Sequence, residues 1–356
     1  MNLGLVVPGG FDPSGQAGTI PALPALAGEL GRRHQVQVFA ASGKSGAGRY
    51  QVPGAQVTQL SGRERRRGPG GALRLALAFE RWTRAAGPFD LLHAFWADRT
   101  ALLAALHARR RGIPAVVSLG GGEAVWLPEV GNGYGGAGTR RGRFVTRAAL
   151  RLAGAVTAGS AFAATALPPG LAARAELVPL GVDVERFAAP PARPPGPPWR
   201  LLHVASLNWV KDQATLLAAL RRVVDRFGDV RLDCVGEDTL GGEIQRRAQA
   251  LGLAERVTFH GFQPPGALPA FYRGAHLHVL ASRHESQGVV VLEAGAAGLP
   301  TVGTRVGLLA TLEPQAARAV PVGDAAALAD AIAGLLADGP ARAAMGAAAQ
   351  RFARAH

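Results

Sequence analysis

The chain has 356 residues, beyond the roughly 250–300 at which a single core stops growing, so two domains are expected. Nearly half of its residues are hydrophobic (48%) and 18% are charged, which excludes a disordered chain, and its single cysteine, Cys234, excludes an intrachain disulfide. The net charge of +14 is uneven: residues 1–190 carry 22 Lys/Arg against 11 Asp/Glu, and residues 191–356 carry 17 against 14. A basic N-terminal half suits phosphates, anionic lipid or nucleic acid, with an arginine-favouring composition as the plain alternative.

In chain order, short apolar runs alternate with helical patterns. The start, MNLGLVVPGG, lacks a basic n-region and an apolar h-region, so it reads as a buried strand ending in a glycine turn; export is not expected and a cytoplasmic setting is. Strands are predicted at 3–8, 36–40, 90–95, 115–119, 155–160 and 176–181, with helix-like segments such as IPALPALAGELGRR and ALLAALHARRR between them. Arg143, Arg147 and Arg151 recur at helical spacing beside Arg140 and Arg141, and a second basic run spans Arg63 to Arg67. Such helices can lie on anionic lipid, or simply present a solvated arginine face. The stretch between Arg151 and Arg174 is uncharged, but its Ala, Gly, Ser and Pro content makes it a poor bilayer span.

The proline-dense segment AAPPARPPGPPW, residues 188–199, can be neither helix nor central strand and is read as the linker between an N-terminal domain, 1–187, and a C-terminal domain, 200–356. After it come strands at 200–206, 231–236, 256–261, 277–282 and 301–304, and a helix over DQATLLAALRRVVDRFG. Cys234 falls in one of these strands and is expected to fill core. Alternating strand and helix implies α/β architecture, with a doubly wound parallel sheet in each half. Ligands of such sheets sit at the carboxyl ends of the strands. Residues at or past those ends become candidates, among them His93, Gly120 to Gly122, Ser206, Gly236 and Glu285.

Four familiar phosphate or metal signatures fail. SGKSG (42–46) ends like a P-loop, but Val38 stands where its first glycine is needed. There is no G-x-G-x-x-G after a strand, and no Asp-x-Asp pair or Cys/His cluster, so neither a nicotinamide cofactor nor a metal is expected. The stretch SRHESQGVVVLEAGAAGLP (282–300) carries more. Read as strand end, loop and helix, it places Glu285 in the loop, Gly288 where the chain can approach a ligand, and the N–H groups of Val289 and Val290 at a helix start that attracts phosphate. Glu293, about a turn further in, could accept bonds from two vicinal hydroxyls, or be a solvated or capping carboxylate.

This stretch, together with PGGFDPSGQAG, HAFW, GIPAVVSLGGGE, VPLGVDVERF, LLHVASLNWVKDQATLLAAL, RVTFHGFQPPGALPAFYRGAHLHVLASRHE and VPVGDAAALADAIAGLL, resembles the retaining GT-B glycosyltransferases over almost the whole chain. The resemblance implies two facing Rossmann-like domains with an interdomain cleft. It also implies a nucleotide-sugar donor, a saccharide, lipid-linked or small-molecule acceptor, and metal-independent transfer with retention. Residue by residue, it gives Glu285 a contact to the transferred sugar and Lys211, in N-x-x-K-D with Asn208, a contact to the donor diphosphate. Glu293 falls on the ribose hydroxyls, Phe262 and Gln263 near the base, Gly15 and Gly18 in a glycine loop near the donor phosphates, and His93, Gly121 and Glu123 on the acceptor side. Peripheral contact with an anionic membrane at its inner face fits the basic N-terminal half; nucleic acid is not expected as a partner. A non-catalytic sugar-nucleotide-binding scaffold and a nucleotide-sugar 2-epimerase-like isomerase are the competing readings.

The sequence departs from the family at several points. Ala205-Ser206 stands where a glycine and a phosphate-binding arginine are common, Gln287 where an aromatic residue is commoner, and Gly120-Gly121-Gly122 where a histidine is frequent. The chain stops at RFARAH, ahead of the family's final crossing helix, so a shortened C-terminus is expected.

Overall fold

The computed structural model describes residues 1–12, 20–43, 46–61, 69–131, 133–188, 193 and 195–356. They form two compact units, Met1–Leu180 and Gly181–His356. The first runs β1 (Asn2–Val7), α1 (Ala22–Gly31), β2 (Gln35–Ala40), β3 (Gly48–Val52), β4 (Ala55–Gln59), α2 (Pro69–Ala86), β5 (Leu91–Phe95), α3 (Arg99–Arg111), β6 (Ala115–Leu119), α4 (Arg140–Leu152), β7 (Ala155–Ala158), α5 (Ala161–Thr165), α6 (Pro169–Ala172) and β8 (Ala175–Leu177). The second runs α7 (Val184–Phe187), β9 (Trp199–Val204), α8 (Gln213–Phe227), β10 (Val230–Val235), α9 (Glu243–Ala250), β11 (Val257–Phe259), α10 (Leu268–Gly274), β12 (Leu277–Leu280), α11 (Val289–Ala296), β13 (Thr301–Thr304), α12 (Leu309–Leu312), β14 (Ala317–Val320), α13 (Ala325–Ala337) and α14 (Gly339–Ala355).

Each unit contains one sheet: β3-β4-β2-β1-β5-β6-β7-β8 in the first and β11-β10-β9-β12-β13-β14 in the second. The second, counted from its own first strand, has the order 3-2-1-4-5-6 of a doubly wound dinucleotide-type sheet. Every strand pair is parallel except β3 with β4. The hairpin of β3 and β4 and the edge strand β14 have no counterpart among the predicted strands. β3 is polar and largely exposed, GRYQV, and β14 is only four residues, so neither shows the continuous apolar run that marks a parallel strand buried on both faces. The strand predicted at 176–181 is reduced to Ala175–Leu177, since Pro179 has no N–H to donate to a ladder. The one predicted at 155–160 stops at Ala158, and Ser160 instead caps α5, accepting from the Ala163 N–H at 3.1 Å.

The division between the units lies at Leu180 and Gly181, ahead of the expected boundary at 187 and 188. Residues 181–187 belong to the second unit because Phe187 of α7 is buried there, its ring 5.5 Å from that of Tyr272. Arg193, inside the proline-rich connector, donates to the carbonyls of Tyr272, Ala275 and Ala297, at the carboxyl ends of α10 and α11. A cation there satisfies carbonyls that no helical N–H can reach, and its burial lowers the guanidinium pKa to about 10.

In the first unit, α2, α3 and α4 cover one face of the sheet over a core that includes Phe39, Phe79, Trp82 and Leu150, while α1 covers the other over Leu5, Val38 and Val57. Trp82 sits between Phe79 (5.5 Å) and Phe89 (4.8 Å). In the second unit, Leu201, Leu232, Leu277 and Val302 carry one continuous core through four strands. Cys234 is buried in β10, as a core filler would be, and burial pushes its thiol pKa up, so it is held as an unreactive thiol.

Candidate functional site

In the second sheet the connections reverse direction between β9 and β12, and the loops after these neighbouring strands therefore diverge at their carboxyl ends, opening a crevice. The loop after β9 carries Ser206, Asn208, Lys211 and Asp212; the loop after β12 carries Ser282, Arg283 and Glu285. The fold thus brings together Lys211 and Glu285, 74 positions apart in sequence: Lys211 Nζ donates to Glu285 Oε1 at 2.6 Å. The Ser282 hydroxyl donates to the same oxygen at 2.6 Å. Both charged side chains keep some exposure, 24% for Lys211 and 11% for Glu285, so the pair sits at a surface a ligand can reach.

Two further contacts stitch these loops together. Arg283 Nε meets Asp212 Oδ2 at 2.9 Å, and the Arg283 N–H donates to the Val210 carbonyl at 2.8 Å. Asp212 is one of two non-glycine residues with positive φ (47°) among the described residues; its carboxylate also caps α8 by accepting from the Thr215 N–H and hydroxyl. Asn208 acts one turn earlier, accepting from the Lys211 N–H at 3.1 Å. Ser206 contributes its carbonyl, which accepts from Gln213 Nε2 at 3.1 Å. Gln213 also faces His203 Nε2 at 3.2 Å, and His203 Nδ1 faces the Val279 carbonyl, so a buried polar row runs beneath the crevice from β9 to β12. With Nδ1–H donating to Val279, Nε2 is the acceptor for the glutamine amide.

The stretch from Gly288 onward folds as the sequence reading expects. Gly288 is the N-cap of α11 at φ +82°, a conformation suited to glycine, with no side chain capping the helix start. A Cβ there would meet only side-chain carbons at 3.6 Å or more, so the backbone is open at this point. Val291 is buried, while Val289 and Val290 are half-buried. Glu293 is buried, and Tyr272 donates its hydroxyl to Oε2 at 2.6 Å. Burial raises the Glu293 pKa above its ordinary 4.5, opposed by the Tyr272 hydrogen bond and by the charge of Arg186.

Gln287 has a structural place. Its carbonyl accepts from the Leu308 N–H at 2.8 Å, and the loop after β13 backs the Glu285 loop so closely that a Cβ on Gly307 would stand 2.4 Å from the Gln287 oxygen and 2.9 Å from Glu285 Cβ. Gly307 also has φ +55°. Gly307→Ala is expected to cost about 2–3 kcal/mol through backbone strain and to displace Glu285. Urea denaturation gives the first effect; an unchanged midpoint would show that the loop yields freely.

Gly236, at φ +154°, lies where a Cβ would be 2.0 Å from the Ala205 carbonyl, so it permits the ends of β9 and β10 to run side by side. Phe262 and Gln263 follow the edge strand β11, two strands from β9 and hence about 10 Å away across the sheet. The Gln263 side chain folds back to donate to the His260 carbonyl at 2.9 Å.

The residues expected on the acceptor side are engaged within the fold. His93 stands in the middle of β5, not at its end. Its Nε2 meets Ser118 Oγ at 2.7 Å, Ser118 meets Thr157 Oγ1 at 2.6 Å, and burial lowers the His93 pKa to about 4. This is a satisfied polar row across β5, β6 and β7. Glu123 is buried and receives the N–H groups of Gly120 (2.9 Å), Gly121 (2.8 Å) and Ala97 (3.3 Å), so it ties the loop after β6 to the loop after β5. Gly121 is one of the donors in that brace. Burial raises the Glu123 pKa, against the lowering by those backbone donors. Gly15 and Gly18, and the basic run at Arg63 to Arg67, lie outside the described residues.

Sequence reasoning gave no role to Ser282, Asp212, Arg283, Gln213, His203 or Tyr272. Ser282 and Arg283 lie inside the SRHE segment and Asp212 follows Lys211 directly, so proximity to a named residue was the available signal. His203, Gln213 and Tyr272 come from buried positions that only the packing identifies.

Known proteins are similar to this chain over almost its whole length. The family model described as "Glycosyl transferases group 1" matches residues 186–352, and that described as "Glycosyltransferase Family 4" matches residues 24–186. The "GDP-mannose-dependent alpha-(1-6)-phosphatidylinositol monomannoside mannosyltransferase" of Mycolicibacterium smegmatis is 32% identical over 378 residues, covering 98% of this chain and 93% of that protein. The "D-inositol 3-phosphate glycosyltransferase" of Corynebacterium urealyticum is 33% identical over 192 residues, 49% of this chain. That match spans only 45% of the relative, and those to the corresponding enzyme of Corynebacterium jeikeium and to the "Phosphatidyl-myo-inositol mannosyltransferase" of Mycobacterium leprae span 35% and 34%. Among solved structures, the sucrose-phosphate synthase of Thermosynechococcus elongatus aligns with a TM-score of 0.80 at 20% identity, covering 100% of this chain and 94% of that one. Anabaena HepE in complex with UDP-glucose aligns with a TM-score of 0.74 at 21% identity, covering 100% and 95%. These likenesses establish the GT-B fold.

Proposed function

Since the chain belongs to the glycosyl transferases group 1 family, we propose that it transfers a sugar from a nucleoside-diphosphate sugar to a hydroxyl of a saccharide, lipid-linked or small-molecule acceptor, with retention at the anomeric carbon. The observation that carries this reading is the Lys211–Glu285 pair at the β9/β12 crevice, beside the uncapped start of α11. The names of relatives support the donor class: one is called GDP-mannose-dependent, and a structural neighbour was solved with UDP-glucose.

The departing group is a diphosphate that gains negative charge while the sugar becomes oxocarbenium-like. Lys211 and the N–H groups of Val289 and Val290 supply fixed positive charge to it, and Gly288 lets the phosphates approach those amides. Arg283, neutralised by Asp212, fixes the loop instead of supplying the cation missing at Ala205-Ser206. Engagement of Lys211 by the diphosphate leaves Glu285, oriented by Ser282, facing the sugar. Glu293 offers Oε1 to the ribose hydroxyls while Tyr272 holds Oε2. Lys211 and the helix amides carry the charge neutralisation in this scheme.

The reading is tested by thermal unfolding of the full chain with GDP, UDP or ADP. A nucleotide bound at about one hundred times its Kd stabilises the folded state by about 2.7 kcal/mol, so at least one should raise the Tm, and less so in Lys211→Ala. Absence of any shift, or an equal shift in Lys211→Ala, would overturn the donor site.

A further inference from the structure

Away from the crevice, the layer of α2, α3 and α4 on the first unit has an outer face that the proposed transfer does not use. These three helices carry twelve arginines and a single carboxylate, Glu80. On α4, Arg140, Arg147 and Arg151 are exposed and have no acidic partner among the described residues. In their midst Phe144 is 70% exposed, and these side chains line a shallow hollow of about 310 Å³. Between α2 and α3, Arg81, Arg84, Arg110 and Arg111 surround the Glu80–His107 contact in a second hollow of about 570 Å³. Leu73 (62%) and Leu77 (49%) project from α2 with their side chains in solvent.

Each apolar tip is costly in water, and each stands among unpaired cations. That combination, with both features on one helical layer, matches the boundary of an anionic lipid surface: phosphates meet the guanidinium groups, and the apolar tips pass below them. A nucleic-acid duplex would use the arginines but offers nothing to Leu73 and Leu77. No helix among the described residues is long and apolar enough to cross a membrane.

We propose that the outer face of α2, α3 and α4 docks the protein on an anionic membrane, with Phe144, Leu73 and Leu77 entering the headgroup boundary and the α4 arginines meeting lipid phosphates. The proposal stands independently of the sugar-transfer reading, since no residue of the crevice takes part.

Co-sedimentation of the full chain with phosphatidylcholine vesicles, with and without phosphatidylglycerol, tests it. Binding is expected only with phosphatidylglycerol and is weakened by added salt, which screens exposed charges. Arg147→Ser with Arg151→Ser should lower partitioning about 25-fold, since each cation at the surface contributes about fivefold. Phe144→Ser should lower it about tenfold. The control double variant, Arg318→Ser with Arg354→Ser on the second unit, removes the same charge from exposed positions and should bind like the parent. Unchanged thermal unfolding of all variants shows that folding is intact. The proposal is overturned by any of three results: no binding to phosphatidylglycerol vesicles at low salt, equal loss in the control double, or binding of duplex DNA in place of vesicles.

Discussion

Replacement of Lys211 or of Glu285 by alanine is expected to lower sugar transfer 100- to 1,000-fold, the loss of about 3–4 kcal/mol of preorganised charge stabilisation at the leaving group or the sugar. The two residues form one hydrogen-bonded unit with Ser282, so the double variant should fall little below either single one, far short of the product of the two losses. Lys211→Arg keeps the charge but exchanges a compact ammonium for a planar fork in a space set by Asn208 and Glu285, and partial activity is expected. Both side chains are partly exposed, so removing the pair should cost no more than about 1 kcal/mol of stability, and the activity loss will not be a folding defect. Initial rates of nucleotide release, measured beside thermal melts, check this. Transfer within about threefold of the parent in both single variants would remove Lys211 and Glu285 from the chemistry.

The second large effect is a loss of stability in mild acid. His203 and His278 are fully buried in the core of the second unit, and burial lowers their pKa values from the ordinary 6.5 to about 4 and about 3; for His278 the charge of a protonated His203 acts in the same direction. The unfolded chain takes up protons below about pH 6.5 while the folded one stays neutral, so the unfolded state binds more protons and stability falls as the pH falls. By about pH 5 the pair costs about 4 kcal/mol, a large share of the 5–15 kcal/mol of a typical domain. Glu293 works in the opposite sense, because its raised pKa means that stability declines as the pH rises above its ordinary 4.5. Urea denaturation of the full chain between about pH 7 and about pH 5 should show the fall. His278→Leu, which also removes a buried Nε2 without a hydrogen-bond partner among the described residues, should flatten it by about half. A parent stability that stays level over that range would contradict the assignment.

These two predictions draw on different kinds of information. The alternation of apolar runs with helical patterns already specified two parallel-sheet units, because a strand buried on both faces has to be continuously apolar and its crossover has to be a helix. The segment around Glu285, Gly288 and Glu293 was legible for the same reason: its valines alone would equally suit a strand, but lying between two predicted parallel strands they read as the crossover helix. Where polarity and exposure blur that pattern, as in the hairpin of β3 and β4, the strands were not legible. The compact units divide at Leu180 and Gly181, ahead of the proline-rich segment, because prolines mark where secondary structure stops, whereas a unit ends where burial changes side, and Phe187 is buried in the second unit.

What the sequence by itself determined is therefore the order of elements, and the presence at strand ends of residues able to meet a diphosphate sugar. Which of those candidates converge was decided by tertiary structure. Lys211 and Glu285 are joined because β9 and β12 are neighbours at the point where the strand order reverses, a pairing that no local pattern encodes. His93, open in the sequence to a ligand or a structural role alike, received a serine from sheet pairing, and Glu123 received three backbone donors, two from the loop after β6 and one from the loop after β5. A buried polar group must find a partner, and packing supplied theirs from within the fold.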